Sequence, residues 1–201
     1  DGSYSYTKTV GGTGEDYAIS VTIDSDDRVY ISGGFYNSVD FDPGAGTDNH
    51  ASNGGRDMYL TKINSDGSYD YTQTIGGTGD ETSTSLVNDS RGNVYISSNT
   101  YSTGTIDFNP GAGVDNHTTD GSGDIYLTKI NSDGSYGYTH DFKGPGYDDN
   151  NYGGVAVDSS DNIFITGIFE GTVDFNPYGT DNHTSVGFTD IFLTKLTTTY
   201  S

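Results

Sequence analysis

The apolar residues of the chain lie in short runs separated by Gly, Asn, Asp and Ser, which predicts strands joined by turns. Four runs follow one another: Ile19–Asp24, Arg28–Ser32, Met58–Ile63 and Tyr69–Ile75. Asp-rich and Asp-Gly turns join the first run to the second and the third to the fourth, as in β-hairpins, while Gly33–Arg56 forms a long insertion. Because no stretch has the apolar spacing of a helix, the pattern predicts a four-stranded antiparallel meander.

This pattern occurs three times along the chain. Asp40-Phe41-Asp42-Pro43-Gly44 recurs at 107–111 and, without its last Gly, at 174–177, with Asn in place of Asp42 in both copies. Asp48-Asn49-His50 recurs at 115–117 and 181–183. Asp57-Met58-Tyr59-Leu60-Thr61-Lys62 recurs at 124–129 and 190–195, with Ile in place of Met58 in both copies and Phe in place of Tyr59 in the last. The period is about 67 residues, so the chain divides into repeats at 1–65, 66–132 and 133–201 within one compact domain.

Neighbouring residues within these runs are apolar, which bears on how the sheets pack. In Val29-Tyr30-Ile31 and in Met58-Tyr59-Leu60, consecutive side chains point to opposite faces of a strand. Something must therefore pack on both faces of each sheet. Four-stranded sheets stacked face to face at this repeat length are typical of a β-propeller. The predicted fold class is all-β, with three four-stranded antiparallel propeller-type blades.

The residues also carry a family resemblance. Residues 18–33, residues 155–167 and the Asp-Phe-Asp-Pro-Gly segment resemble the bacterial SBBP-type β-propeller repeats. The resemblance implies a secreted or cell-surface propeller, often an array within a larger protein, and brings no established catalytic residues. One departure is Asn88, which stands where the other repeats have Ile23 and Val157. If Asn88 is buried without a partner, we expect a cost of about 1–3 kcal/mol.

Three blades are too few for closure, since propellers usually have about four to eight. The chain starts with Ser3–Val10, which matches the fourth strand at 68–75, and it ends just after the third strand of the last repeat. In one interpretation, this segment adds to the last blade of another copy and gives a ring or a filament. Its association residues would be Tyr4, Tyr6, Lys8 and Val10. In the other, the chain is cut from a longer array that supplies the missing blades.

The insertion contains a candidate calcium site in each repeat. Asp40 and Asp42 are two apart, so both would project from one face of an extended strand. Carboxylate, amide and carbonyl oxygens are the ligands that Ca²⁺ prefers. The predicted ligands are Asp40, Asp42, Asp48, Asp107, Asn109, Asp115, Asp174, Asn176 and Asp181. The alternative is that these side chains cap the Pro-Gly turn by accepting bonds from its backbone N–H groups.

One His recurs beside each of these turns, at His50, His117 and His183. A zinc site needs several converging ligands, usually with more than one His or Cys. Each repeat supplies one such His, and the chain has no Cys. Hydrogen bonding within the loop is therefore the favoured interpretation.

Charge and composition exclude several classes of function. The formal net charge of −21, from 29 acidic and 8 basic residues, argues against nucleic-acid binding and against docking on an anionic membrane. No run of about 18–20 apolar residues is present, and there is no nucleophile elbow, phosphate loop or two-His helix motif. The sequence predicts a non-catalytic, secreted or cell-surface structural or adhesive repeat protein that self-associates.

The alternative is a glycan-binding propeller module of a larger surface protein. Tyr is plentiful, and sugars stack on exposed aromatic rings. The tyrosines that sequence position favours for this role are Tyr4, Tyr6, Tyr36, Tyr101, Tyr147 and Tyr178.

Overall fold

The computed structural model describes residues 2–101 and 103–198, apart from the side chain of Tyr152. The described residues form an all-β protein with sixteen strands and no helix. The strands are β1 (Gly11–Gly12), β2 (Asp16–Ile23), β3 (Val29–Phe35), β4 (Ser38–Asp40), β5 (Asn49–Ala51), β6 (Asp57–Ile63), β7 (Tyr69–Ile75), β8 (Glu81–Asn88), β9 (Val94–Thr100), β10 (Thr105–Asp107), β11 (Asn116–Thr118), β12 (Asp124–Ile130), β13 (Tyr136–Phe142), β14 (Asp149–Val157), β15 (Ile163–Asp174) and β16 (Asn182–Leu196).

Three larger sheets form the body of the molecule. The first sheet has the order β2-β3-β6-β7, the second β8-β9-β12-β13 and the third β14-β15-β16, and all neighbouring strands are antiparallel. The fourth strand, β7, pairs with β6, so the first sheet crosses the boundary between the first two sequence repeats. The predicted four-stranded meander is confirmed for the first and second sheets, while the third has three strands.

The strand bounds differ modestly from those predicted. The fourth strand is found at Tyr69–Ile75 as predicted, whereas β2 begins at Asp16 and β3 continues to Phe35. The insertion at 33–56 contains two short strands, β4 and β5, which pair with each other and form a small sheet with β1. The sequence of this insertion is too rich in Gly, Asp and Asn to reveal strands of three residues.

The first strands of the three sheets lie next to each other. Strand β8 packs against β2 and β3, and β14 packs against β8 and β9. The backbone N–H of Leu86 donates to Ser20 Oγ at 3.0 Å, and Ser83 Oγ donates to Ser32 Oγ at 2.8 Å. Small hydroxyl side chains allow these strands to approach closely, and their mutual hydrogen bonds satisfy polar groups that burial removes from water.

The apolar core lies between successive sheets. Tyr30 and Leu60 of the first sheet pack with Leu86, Val94 and Ile96 of the second. The same arrangement occurs one step further along, where Tyr95, Ile125 and Leu127 pack against Ile163 and Ile165. Both faces of the second sheet are thus covered, which explains why neighbouring residues in its strands are apolar.

Within the described ranges, no helix has the length and apolarity that a membrane crossing requires.

Candidate functional site

The outer face of the third sheet carries apolar side chains that none of the described residues covers. Ile191 and Leu193 are 84% and 71% exposed. Their counterparts in the first sheet, Met58 and Leu60, are 2% and 1% exposed, because the second sheet packs on them. We call Ile191 and Leu193 the trailing face. The equivalent surfaces of the first and second sheets are buried inside the molecule, whereas this surface of the third sheet is exposed.

A matching surface is open at the other end of the stack. Val21 and Ile23 of β2 are 63% and 60% exposed. The residue of β8 at the position of Val21 is Leu86, since each pairs with the equivalent residue of its neighbouring strand. Leu86 is 7% exposed and packs on the preceding sheet. We call Val21 and Ile23 the leading face. In the second and third sheets, the equivalent surface faces the preceding sheet.

The third sheet also has a free edge. In the first two sheets a fourth strand pairs with the third, β7 with β6 and β13 with β12. The corresponding strand of the third sheet is β16, which lies at the edge with β15 as its partner. An open groove of about 680 Å³ runs along this edge, lined by residues that include Phe169, Phe175, Asp181, His183 and Leu193. Its backbone and apolar groups are those that a further strand would cover.

The predicted association segment does not fill that groove in its own chain. Residues 2–10 form no strand and are exposed throughout, with Tyr4 81%, Tyr6 52% and Val10 41% exposed, and Lys8 exposed as well. The expectation of a strand at Ser3–Val10 is therefore not met in the single chain. A lone strand has no partner for its backbone groups, so its formation depends on a sheet edge.

The segment lies instead beside the first sheet. Lys8, Thr9 and Val10 border a cavity of about 330 Å³ together with Phe35 and Val39. A Cβ built on Gly67 would lie 3.4 Å from the ring of Tyr6, and one built on Gly134 would lie 3.0 Å from the ring of Tyr71. Tyr6 is thus positioned against the first sheet as Tyr71 of β7 is positioned against the second.

A Tyr–Asp–His cluster joins the insertion to the fourth strand of the first sheet. Asp48 accepts hydrogen bonds from Tyr69 Oη and pairs with His50 Nε2 at 3.1 Å. His50 Nδ1 lies 3.1 Å from Thr74 Oγ1 on β7. Burial opposes ionisation of Asp48, but the bonds from Tyr69 and His50 outweigh it and lower the pKa of this carboxyl. Burial and the nearby Asp48 raise the pKa of Tyr69, so its hydroxyl stays a donor.

The cluster recurs in the second sheet and is incomplete in the third. Asp115 accepts from Tyr136 Oη and pairs with His117 Nε2 at 3.3 Å. In the third sheet Asp181 pairs with His183 at 3.2 Å, and both side chains are more than half exposed. The missing tyrosine would belong to a fourth strand, and the residues that the structure describes do not add one to this sheet. Sequence reasoning missed these clusters, although the recurrence of Tyr at the start of each fourth strand was a signal for them.

The predicted calcium ligands are engaged in turns. Asp40 Oδ1 accepts from the backbone N–H groups of Asp42 and Asp48 at 3.1 and 2.9 Å. Asp42 lies beyond the end of β4, so the expected projection from one extended strand is wrong. Asp107 bonds Asn109 and Asp115 in the same way, and Asp174 bonds Asn176 and Asp181, again through backbone N–H groups. These are the bonds of the turn-capping alternative.

No group of three or more metal-binding side chains is present in the part of the chain that the structure describes. Calcium at these turns stays a prediction, and it would have to share the oxygens that now accept backbone bonds. His50, His117 and His183 each bond a neighbouring Asp, as the loop hydrogen-bonding interpretation expects.

Buried carboxyls at or beside the starts of strands are a further feature that sequence reasoning missed. Asp57 and Asp124 are 2% and 1% exposed. Burial, reinforced by nearby acids, raises the pKa of each to about 7. Burial also raises the pKa of Asp148, to about 6. The recurrence of Asp immediately before each third strand was the available signal, but burial could not be inferred without knowing how the sheets stack.

Comparison with protein-family models matches no family to this chain, and comparison with curated proteins finds no match to it either.

Proposed function

We propose that this is a non-catalytic structural or adhesive repeat protein of the cell surface or its surroundings, whose copies join head to tail. In this proposal the three sheets are propeller-type blades, and residues 3–10 of one copy complete the third sheet of the next. The observation that carries the proposal is the pair of uncovered faces, Val21 with Ile23 at one end and Ile191 with Leu193 at the other.

The joints inside the molecule provide the template for this contact. At the joint between the first and second sheets, Leu86 packs on Tyr30 and Leu60. A second copy would bring Val21 to the position of Leu86 and pack it on Leu193. Because one face belongs to the first sheet and the other to the third, the contact is heterologous and is repeated by every added copy. The free edge of β16 supports the same direction of joining.

Closure depends on the rotation between successive sheets. Two copies joined at both ends would bring six sheets into a ring, within the range of about four to eight for propellers. A rotation that does not close would give a filament instead. If the chain is instead part of a longer array, further sheets of that array would cover the two faces through the same contacts.

The experiment measures the mass of the purified chain by sedimentation velocity across a range of concentrations, with electron microscopy of the same samples. We expect dimers or larger species, seen as rings or filaments. Val21→Asp places a charge on the leading face, and Leu193→Asp places one on the trailing face. We expect each variant to weaken association at least tenfold. A chain without residues 2–10 is expected to behave similarly.

The matched control is Val114→Asp. Val114 is 72% exposed but belongs to neither face, so its replacement is expected to leave association unchanged. A folded wild-type chain that stays monomeric at every concentration would contradict self-association. Equal loss in the Val114 variant would point to charge repulsion instead of a specific contact.

A second candidate, glycan binding, has one observation in its favour. The hydroxyls of Tyr101 and Tyr147 both donate to Asp149, and the Asn151 side-chain amide donates to Tyr101. Partly exposed rings combined with polar groups are the chemistry of ligand pockets. A glycan array probed with the wild type and with Tyr101→Phe tests this function. Binding that the variant loses would support it, and no binding to any glycan on the array would count against it.

A further inference from the structure

The fourth strand pairs with the third in the same register in both complete sheets. In the first sheet Met58 lies opposite Ile75 and Thr61 opposite Thr72. In the second sheet Ile125 lies opposite Phe142 and Thr128 opposite Thr139. Both ladders also shift by one residue at the same point, between Lys62 and Ile63 and between Lys129 and Ile130. The register is therefore a property of the repeat.

The N-terminal segment and β16 carry the residues that this register uses. Residues 4–10 read Tyr-Ser-Tyr-Thr-Lys-Thr-Val, and β7 reads Tyr-Asp-Tyr-Thr-Gln-Thr-Ile. The end of β16, Ile-Phe-Leu-Thr-Lys-Leu, matches the Met-Tyr-Leu-Thr-Lys-Ile of β6. Donor and acceptor are thus both present, at opposite ends of one chain.

Side-chain contacts across the ladder fix the register. The hydroxyl oxygens of Thr61 and Thr72 lie 2.8 Å apart, and those of Thr128 and Thr139 lie 3.0 Å apart; both pairs are buried. Since side chains alternate in direction, a slip of one residue would place the two threonines on opposite faces. Thr194 of β16 and Thr7 of the segment occupy the corresponding positions.

A second contact involves the Lys that follows this Thr. Lys62 Nζ lies 5.4 Å from the ring centroid of Tyr71, and Lys129 Nζ lies 5.9 Å from that of Tyr138. A cation over an aromatic face within about 6 Å is attracted to it. Lys195 and Tyr6 are the residues at these positions in the acceptor and donor.

The open Asp–His pair provides a third contact. Asp48 and Asp115 each accept a hydrogen bond from the first Tyr of a fourth strand. Asp181 has His183 as its neighbour and remains 64% exposed at its side chain. Tyr4, at the corresponding position of the segment, is 81% exposed.

We infer that the third sheet takes the N-terminal segment of a second copy in one register, with Val10 opposite Ile191 and Thr7 opposite Thr194, and that Tyr4 of that copy donates to Asp181. The inference rests on the proposed function, since it presumes that copies associate. It adds a specific recognition site, made of Asp181 and His183 from one copy and a tyrosine hydroxyl from the next.

Disulfide trapping tests the register, because the chain contains no Cys of its own. The double variant Thr7→Cys with Thr194→Cys is expected to give disulfide-linked species under mild oxidation: dimers from a two-copy ring, or a ladder from a filament. The matched control, Lys8→Cys with Thr194→Cys, moves one thiol to the opposite strand face and is expected to link poorly. Masses are read on non-reducing gels.

Tyr4→Phe tests the hydroxyl. The variant keeps the ring and removes one donor, and we expect association to weaken about fivefold, in line with a single hydrogen bond. Tyr101→Phe is the control, because Tyr101 lies outside this site; it is expected to leave association unchanged. Sedimentation velocity measures both.

The outcomes separate the inference from the proposed function. A wild-type chain that does not associate overturns both. If the wild type associates but the Lys8 pair links as well as or better than the Thr7 pair, the register is wrong while self-association stands. A disulfide formed within one chain would show that the segment returns to its own third sheet, and would overturn donation between copies. Unchanged association of Tyr4→Phe would remove Tyr4 from the recognition site.

Discussion

Asn88 in β8 has both polar atoms of its side chain buried, and neither has a hydrogen-bond partner within residues 2–101 and 103–198. The other repeats place Ile23 and Val157 at this position, so the sequence alone was enough to single it out. The burial of its amide required the structure, because it depends on the sheet that packs against β8. A buried polar group without a partner costs about 1–3 kcal/mol.

We therefore expect Asn88→Val to raise the free energy of unfolding by about 1–3 kcal/mol. Denaturant unfolding followed by circular dichroism gives this quantity. Asn116→Val, at an exposed position of β11, is the control and is expected to change stability little. A destabilised Asn88→Val would mean that the amide finds a partner in solution.

The buried acids Asp57 and Asp124 make stability depend on pH. Their folded-state pKa of about 7 lies above the ordinary value of 3.8, so the native state binds more protons than the unfolded state between these values. Stability must then fall as pH rises through this range. Below it the trend reverses, because the bond from His117 and the nearby Lys143 lower the pKa of Asp141, whose contribution is lost when it is protonated.

We expect the free energy of unfolding to decrease between pH 5 and about pH 8. We expect Asp57→Asn and Asp124→Asn each to make this dependence on pH less steep, by an amount equivalent to up to about one bound proton. Urea titrations at several pH values give the slope. An exposed acid, Asp66→Asn, serves as the control for charge alone. A slope that both variants leave unchanged would contradict the raised pKa values.

At the scale of strands and sheets, the alternation of side chains was sufficient to predict all four strands of the first meander. It was insufficient for β4 and β5, whose pairing depends on turns held by Asp40 and Asn37. It also predicted a strand at residues 3–10 that the single chain does not form. Strand formation there depends on an available sheet edge, which local sequence does not describe.

The bulge where β2 meets β3 depends on a glycine. The register shifts between Ala18 and Ser20, and a Cβ built on Gly33 would overlap the carbonyl oxygen of Tyr17. We expect Gly33→Ala to destabilise the protein by about 1–3 kcal/mol, as overpacking does. Gly154→Ala is the matched control, since its Cβ would lie 3.4 Å from Ser85 Oγ, an ordinary contact. Thermal melting of the two variants compares them, and equal melting temperatures would contradict the close approach.

At the scale of the whole molecule, a net charge of −21 opposes the joining of copies. The Debye length shortens from about 30 Å at 0.01 M salt to about 10 Å at 0.1 M. We expect association to strengthen as sodium chloride is raised from about 0.01 to 0.1 M, because screening reduces repulsion while the apolar faces keep their affinity. Sedimentation velocity measures it, and weaker association at higher salt would indicate a joint dominated by ion pairs.

The calcium prediction is tested by comparing melting temperatures in calcium and in sodium chloride at matched ionic strength. If the predicted turn sites bind it, calcium raises the melting temperature beyond sodium chloride of equal ionic strength, and EDTA reverses the gain. No difference between the two salts would count against the calcium prediction. Asp107→Asn, with Asp120→Asn as an exposed control, would assign any effect to the turn.

The unlike faces at the two ends of the stack have a consequence for growth. A polymer built from such subunits has polarity, with Val21 and Ile23 at one tip and Ile191 and Leu193 at the other, so elongation rates at the tips are expected to differ. A subunit disabled at one face can still dock through its intact face and then terminate elongation. If the proposed filaments form, Val21→Asp added at far less than one molecule per wild-type molecule would therefore be enough to shorten them.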